Sequence, residues 1–223
     1  MNHISENYTV ITENIKNACL TYGRKDKVRL MAVTKSVSHE SVNYAISLGI
    51  DLIGENRVQE FLQKYPFYAK KCEIHFIGGL QNNKVKYIID KVSVIQSADS
   101  VKLLSEIDKR AASFNLTADV LIEVNIGDES SKHGVRADML FDLAEQAQEF
   151  GNIRLRGLMA IPPFDAKEEV YHKMQRLYLD TRAKVRNSNE FDTLSMGMSG
   201  DYITAIKHGA NVIRIGSALF GSR

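Results

Sequence analysis

The chain has 223 residues, of which 29 are Lys or Arg and 27 are Asp or Glu, so its formal net charge is +2. This near-balance argues against a dedicated nucleic-acid-binding protein, which normally carries a surplus of basic residues on one face. Hydrophobic residues make up 44% of the sequence and charged residues 25%, which excludes disorder as the main state. No apolar run is long enough to cross a bilayer, and the polar first residues lack the pattern of a signal peptide. We therefore expect a cytoplasmic protein without membrane contact.

The sequence opens with a predicted helix over residues 6–21, whose apolar positions are Val10, Ile11, Ile15, Ala18 and Cys19. After it, short runs rich in Val, Ile and Leu alternate with segments of helical periodicity. Because these runs are apolar on both faces, they predict parallel strands covered by helices. The eight predicted strands are residues 28–33, 51–54, 74–77, 92–96, 118–125, 154–161, 193–196 and 211–215. The helices between them are predicted to begin near Ser38, Asn56, Gln81, Ser100, Arg136, Lys167 and Gly200.

The count of strand–helix repeats decides the predicted architecture. Eight repeats without a linker rich in Pro, Gly or Ser predict a single domain over residues 1–223, an α/β fold of the closed (β/α)8 TIM-barrel type. Little sequence follows the eighth predicted strand, so an eighth helix would be largely missing. We expect the extra N-terminal helix to cover the gap beside strands one and eight.

A lysine follows the first predicted strand. In (β/α)8 barrels the active site lies at the C-terminal ends of the strands, which is where Lys35 is placed. A lysine that enters a desolvated barrel mouth loses its preference for the ammonium form, and its neutral amine can then form a Schiff base with an aldehyde. The alternative is a solvated lysine at a strand end, and position alone does not separate the two.

Glycine-bearing turns follow the seventh and eighth predicted strands. Ser199 and Gly200 lie in the first turn, Gly216 and Ser217 lie in the second, and Arg214 lies on the eighth strand. Small residues and free backbone N–H groups at a helix start form an anion cradle, and these barrels commonly bind phosphate in these two loops. Together with the lysine, the turns predict a phosphorylated aldehyde as ligand. Pyridoxal 5′-phosphate (PLP) and a phosphosugar both satisfy this requirement.

A more specific pattern is formed by seven segments in fixed order, which are residues 32–35, 54–60, 75–84, 131–134, 157–159, 195–201 and 214–221. In sequence and order they resemble the segments of the pyridoxal phosphate homeostasis proteins (PLP-binding proteins), and the resemblance covers essentially the whole chain. One departure is Ile74, where the family usually has Trp before the His-Phe-Ile-Gly motif. This difference affects local packing and leaves the lysine chemistry unchanged.

The resemblance implies a barrel like the N-terminal domain of alanine racemase, with PLP held as an internal aldimine on Lys35. It implies that Arg214 lies near the cofactor, at the pyridine nitrogen with the phosphate as the alternative partner, and that Asn56 and His75 line the cofactor pocket. For His75, a hydrogen-bonded core histidine is the alternative. Lys132 is implied to be a second ligand or regulatory contact, with a solvated loop lysine as the alternative. The residues implied to contact the phosphate are Ser199, Gly200, Gly216 and Ser217.

The function implied by the resemblance is that of a PLP carrier or buffer, which holds PLP reversibly, supplies it to PLP-dependent apoenzymes and limits the free aldehyde. The alternative is a PLP-dependent, racemase-like enzyme. Alanine racemase adds a C-terminal domain for which this sequence has no counterpart, so we expect no dedicated catalysis. A class I aldolase acting on a phosphosugar shares the lysine and the cradle but not the ordered motifs.

Other ligands and partners are expected to be few. The six histidines show no HExxH motif or paired spacing, so no metal site is expected. Cys19 and Cys72 are too few for a disulfide framework and are expected to be reduced, buried thiols. No long apolar helix stripe is left unassigned, so we expect a monomer.

Overall fold

Eight parallel strands close into a barrel in the computed structural model, which describes residues 2–69, 72–129 and 133–221. The described strands are β1 (Arg29–Val33), β2 (Leu52–Glu55), β3 (Glu73–Phe76), β4 (Val94–Ala98), β5 (Ala118–Asn125), β6 (Val135–Arg136), β7 (Ile153–Ala160), β8 (Thr193–Ser195) and β9 (Val212–Ile215). Around the barrel the order is β1-β2-β3-β4-β5-β7-β8-β9, and β9 pairs with β1 to close the ring. The short β6 lies outside this ring and pairs with the end of β5. The predicted barrel is confirmed, because each predicted strand overlaps one of these eight.

Helices connect the strands, and the described ones are α1 (Asn2–Thr21), α2 (His39–Ser47), α3 (Val58–Lys64), α4 (Val101–Ser113), α5 (Leu140–Ala147), α6 (Glu168–Lys184), α7 (Tyr202–Lys207) and α8 (Ser217–Phe220). Ser38 and Ser100 cap α2 and α4, because each hydroxyl oxygen accepts a hydrogen bond from a first-turn N–H at 3.4 Å. The segment predicted as a helix after β3 forms instead a 3-10 helix, Asn82–Tyr87, since consecutive asparagines compete with α-helical hydrogen bonding. No described helix is long and apolar enough to cross a membrane.

The N-terminal helix α1 covers the position where the barrel lacks a full helix, because α8 has only four residues. Asn7 Nδ2 donates to Leu219 O (3.1 Å), which ties α1 to α8, and Asn14 Nδ2 donates to the Tyr202 hydroxyl of α7 (3.0 Å). The predicted covering role of this helix is confirmed. The prediction that Val10 lies on the apolar face of α1 is wrong, since Val10 is 56% exposed. The buried stripe consists of Ile4, Ile11, Ile15 and Ala18.

The interior of the barrel is partly apolar and partly polar. Alternate residues of each strand point inward, as the twofold period of a strand requires. Two apolar clusters line the strands there, formed by Met31, Val33, Leu52, Ile77 and Val212 and by Val94, Leu121 and Met159. The buried polar side chains of the same strands need hydrogen-bond partners, and five of them, described below, form the floor of the candidate site: His75, Gln96, Glu123, Ser195 and Arg214.

The two cysteines are free and half-buried rather than fully buried, so the prediction about their burial is wrong. Burial, together with the neighbouring Asp51 and Glu73 carboxylates, raises the pKa of the Cys72 thiol to about 12. Because the thiolate is the reactive form, Cys72 is an unreactive thiol at neutral pH.

Candidate functional site

The residues predicted for the site follow strands that are neighbours in the barrel. Lys35 lies beyond the end of β1, and the two glycine-bearing turns lie beyond β8 and β9. Since β8 pairs with β9 and β9 pairs with β1, these three loops are adjacent at one end of the barrel. Asn56 lies beyond β2, which is the neighbour of β1 on the other side. The structure therefore brings the predicted lysine, cradle and Asn56 to one mouth.

Lys35 is exposed to solvent at the mouth, which agrees with the solvated alternative that the sequence left open. A strand end places a lysine at the mouth, but the neighbouring loops decide how much water reaches it. The covalent role of this lysine stays a prediction.

Arg214 lies at the centre of the floor beneath the mouth, where it is 3% exposed. Its Nη1 donates to Ser195 Oγ (2.9 Å), and its Nη2 donates to Ala160 O (2.8 Å). Burial lowers the pKa of the guanidinium to about 10, against the opposing effect of Glu123, so Arg214 stays charged at neutral pH. A guanidinium has five N–H donors, and the described residues supply acceptors for two of them. The remaining donors can bind an acceptor in the site.

A chain of hydrogen bonds runs from the arginine along the inside of the barrel. Ser195 Oγ donates to Gln96 Oε1 (2.7 Å), and Gln96 Nε2 donates to His75 Nδ1 (2.7 Å). The other ring nitrogen of His75, Nε2, then carries the hydrogen and donates to Glu73 Oε1 (3.1 Å). Burial lowers the pKa of His75 and so favours the neutral imidazole, which is the form that this chain of hydrogen bonds requires. We refer to Arg214, Ser195, Gln96, His75 and Glu73 as the barrel chain.

His75 thus has the geometry of the hydrogen-bonded core histidine that the sequence left open as an alternative. Both of its ring nitrogens are occupied, so a direct polar contact with a ligand would require one of these bonds to break. Its assignment to the cofactor pocket stays a prediction. Sequence reasoning missed Gln96, although a polar residue at the end of the apolar run 92–96 was a usable signal.

The two turns of the cradle contact each other, because Ala218 N donates to Ser199 Oγ at 3.2 Å. Four backbone N–H groups of these turns make no hydrogen bond to any acceptor within residues 133–221 or the other described ranges. Unused donors gathered in neighbouring loops are what an anion such as phosphate requires. The four groups belong to Ser199, Gly200, Gly216 and Ser217.

The shape of the first turn is held by residues around it. Asp201 Oδ1 accepts from Met198 N (2.5 Å), and Tyr171 Oη donates to Asp201 Oδ2 (2.6 Å). Gly197 has a φ of +97°, and a Cβ at this position would lie 2.5 Å from Ala205 Cβ. Any side chain at Gly197 would therefore displace α7, so the turn requires glycine there.

Glu123 and Asn56 each have a buried polar atom without a hydrogen-bond partner among the described residues, as does Glu55 at the end of β2. Glu123 is 5% exposed, and its Oε2 atom makes no hydrogen bond. Burial raises the pKa of this carboxyl to about 7, Asp99 adds to the effect, and Arg214 opposes it. The atom of Asn56 is Oδ1. Because unpaired buried polar atoms are costly, they indicate a site that a polar ligand completes.

Two further predictions concern the rest of the chain. Lys132 lies outside the described residues. Among the side chains that the structure describes, no three of His, Cys, Asp or Glu come together in a group that could hold a metal ion.

Comparison with known proteins identifies the class of barrel to which this one belongs. A family model described as alanine racemase, N-terminal domain, matches residues 7–223. The structure of PipY from Synechococcus elongatus PCC7942, solved without PLP, superposes with a TM-score of 0.87 at 25% identity, covering 98% of this chain and 100% of that one.

Two curated relatives are more similar in sequence. The pyridoxal phosphate homeostasis protein of Aquifex aeolicus is 41% identical over 98% of this chain and 97% of its own length. The protein of the same name from Pasteurella multocida is 36% identical over 99% and 97%. The chain belongs to the family of pyridoxal phosphate homeostasis proteins, as its motifs predict.

Proposed function

We propose that this protein binds PLP at the barrel mouth and acts in PLP homeostasis as a carrier or buffer of the cofactor. The observation that carries the proposal is the adjacency of three loops, which offer an amine after β1 and four unused N–H donors after β8 and β9. PLP carries its aldehyde and its phosphate-bearing arm on neighbouring ring carbons, so a lysine and a phosphate cradle in adjacent loops suit it. Membership of the family supports the same ligand.

The residues of this chain take separate roles in the proposal. Lys35 would hold PLP covalently through its amine, and PLP would supply an electrophilic aldehyde. Arg214 donates to the pyridine nitrogen, and Asn56 and His75 complete the pocket. The phosphate is held by Ser199, Gly200, Gly216 and Ser217.

Two observations favour a carrier over an enzyme. Lys35 is exposed, so water and an acceptor protein can reach the bond that releases PLP, whereas proton chemistry on an amino acid benefits from exclusion of water. Arg214, as the proposed partner of the pyridine nitrogen, would keep that nitrogen without a proton and weaken the ring as an electron acceptor. The racemase tolerates such an arginine, so the exposure of Lys35 carries the preference for a carrier. PLP-dependent apoenzymes are the proposed recipients, and the carrier is proposed to act as a monomer in the cytoplasm.

A racemase-like enzyme is the second candidate, because the matching family model is that of the alanine racemase N-terminal domain. The two candidates differ in whether the α-hydrogen of an amino acid exchanges with solvent. Incubation of the PLP-loaded protein with alanine in D2O distinguishes them. Exchange of the α-hydrogen at a catalytic rate would favour the enzyme.

The binding proposal is tested by the visible absorption spectrum with added PLP, followed by borohydride reduction and peptide mass mapping. We expect a yellow band and a reduced adduct on Lys35. The absence of both, or an adduct distributed over surface lysines, would count against the proposed site. A phosphosugar would then be the next ligand to test.

Replacement of Ser199 by alanine is expected to weaken PLP binding by about tenfold, which corresponds to 1.4 kcal/mol. The change removes the hydroxyl that joins the two turns of the cradle. Affinity for pyridoxal, which has no phosphate, should stay the same. Titration of both ligands by absorption measures this, and Ser113→Ala, at an exposed hydroxyl on α4, is the control. Equal losses for the two ligands would contradict the phosphate assignment.

A further inference from the structure

A cluster of buried charged and hydroxyl side chains lies between the end of β2 and helix α3, next to the loop that carries Lys35. Lys64 Nζ is 2.9 Å from Glu55 Oε1 and 2.9 Å from Glu60 Oε1. The Tyr68 hydroxyl donates to Glu55 Oε1, and Thr34 Oγ1 donates to the same oxygen at 2.7 Å. Glu55 is fully buried and Lys64 nearly so. Of this cluster, Thr34 and Glu55 follow or end predicted strands at the mouth, and no residue of the cluster has a role in the proposed function.

The cluster contacts the main chain on both sides of Lys35. Lys64 Nζ donates to Thr34 O at 2.9 Å, and Ser36 N donates to Glu60 Oε1 at 2.5 Å. Glu60 and Lys64 are four residues apart on α3 and pair with each other, so one helix face holds both peptide groups. We call these two residues the α3 pair.

The main chain that the α3 pair holds is strained. Ser36 has a φ of +58°, in the left-handed region that non-glycine residues rarely adopt. Such a conformation persists only where surrounding contacts over-determine it, and it is typical of functional sites. Val37 N also donates to Thr34 O (3.0 Å), which closes the turn around Lys35. Thr34 N also donates to Gly54 O of β2 (3.0 Å), so the backbone of the lysine is fixed jointly by the barrel and by α3.

We propose that the α3 pair positions Lys35 for covalent attachment of PLP. The inference rests on the proposed function, since it concerns the residue assigned to the Schiff base. Glu60 accepts from Ser36 N, Lys64 donates to Thr34 O, and the two side chains pair with each other, so the pair supports the turn on both sides of Lys35. With the turn held, the Lys35 amine starts from one position relative to the cradle. Without it, the turn relaxes out of the left-handed conformation and the amine is displaced.

The test compares Glu60→Ala with Glu106→Ala. Glu106 is a matched control, because it pairs with Arg110 four residues further along α4 and its side chain is 21% exposed, against 22% for Glu60. Stopped-flow absorption measures the rate of Schiff base formation with PLP. Pyridoxine 5′-phosphate, which has an alcohol in place of the aldehyde, measures binding to the pocket without covalent attachment.

We expect Glu60→Ala to slow Schiff base formation roughly ten- to hundredfold, the effect of a displacement of about 1 Å. Binding of pyridoxine 5′-phosphate should stay within about twofold of wild type, since the cradle follows β8 and β9 whereas α3 follows β2, on the other side of β1. Glu60→Gln keeps an oxygen that can accept from Ser36 N, and it should recover a large part of the rate. It also serves as the test if the alanine variant does not fold.

Two outcomes would overturn the inference. One is equal rates of Schiff base formation in Glu60→Ala and Glu106→Ala. The other is a loss of pyridoxine 5′-phosphate binding in Glu60→Ala as large as the loss of rate, which would indicate general damage to the barrel. Failure of the proposed function looks different, because the wild-type protein itself would then form no Schiff base on Lys35.

Discussion

Replacement of Lys35 by alanine is expected to abolish covalent attachment of PLP while leaving the barrel folded. The exposed side chain contributes little to packing, so the free energy of unfolding should change by no more than about 0.5 kcal/mol. Non-covalent contacts from the cradle and Arg214 remain, and the variant should still bind pyridoxine 5′-phosphate. The measurement is the visible spectrum with PLP and the mass of the protein after borohydride reduction.

The control for this experiment is Lys16→Ala, which removes an exposed lysine of α1. It should retain the yellow band and the reduced adduct of the wild-type protein. If Lys35→Ala keeps a full band and a single adduct, another lysine anchors PLP, and the assignment of Lys35 is wrong. If Lys35→Ala and Lys16→Ala both lose the yellow band, the loss is not specific to Lys35.

Replacement of Glu123 by glutamine is expected to stabilise the PLP-free protein above pH 7 by about 3 kcal/mol. The folded protein holds the pKa of Glu123 at about 7, above its ordinary value of 4.5, chiefly because the carboxyl is buried. Between these two pH values the folded state binds more protons than the unfolded state. The free energy of unfolding of the wild type therefore falls as the pH rises through this window, and it stays low above it.

Urea unfolding at pH 5 and pH 8 measures the difference between wild type and Glu123→Gln. The stabilisation should be small at pH 5, where the wild-type carboxyl is largely protonated, and large at pH 8. Glu145→Gln, at an exposed position of α5, should show no comparable rise between the two pH values. A difference for Glu123→Gln that is the same at both pH values would show that burial does not raise the pKa of this carboxyl.

The parts of the fold that local sequence dictates were predictable. Most barrel strands fall on short stretches rich in Val, Ile and Leu, and such a stretch has few alternatives to a covered parallel strand. Lys35 and the cradle were predictable for a related reason, since they follow strands directly and so share one end of the barrel. Val10 was assigned to the buried face of α1 because it is apolar, although its neighbour Ile11 defines the buried stripe.

The parts of the site that depend on distant partners were not predictable. Ser195 and Gln96 are hydrogen-bonded although 99 residues separate them, and no local pattern joins them. The contact of Lys64 with Thr34 depends on how α3 packs on the barrel, and so does the left-handed turn at Ser36. The exposure of Lys35 likewise depends on the neighbouring loops, which is why its position at the end of β1 was predictable and its solvation was left open.

The hydrogen bonds of the barrel chain all run in one direction, and this direction affects which ring system the site suits. Every member donates in the same direction, from the Arg214 guanidinium through Ser195 and Gln96 to His75 and on to the Glu73 carboxylate. The Ser195 hydroxyl hydrogen is thereby committed to Gln96 and cannot turn toward the mouth. At Arg214 the barrel chain therefore offers only guanidinium N–H donors, which suit a ring nitrogen that carries no proton. The unpaired oxygen of Glu123 is the acceptor on the same floor, so a ring N–H would have to reach Glu123 rather than Arg214 to find a partner.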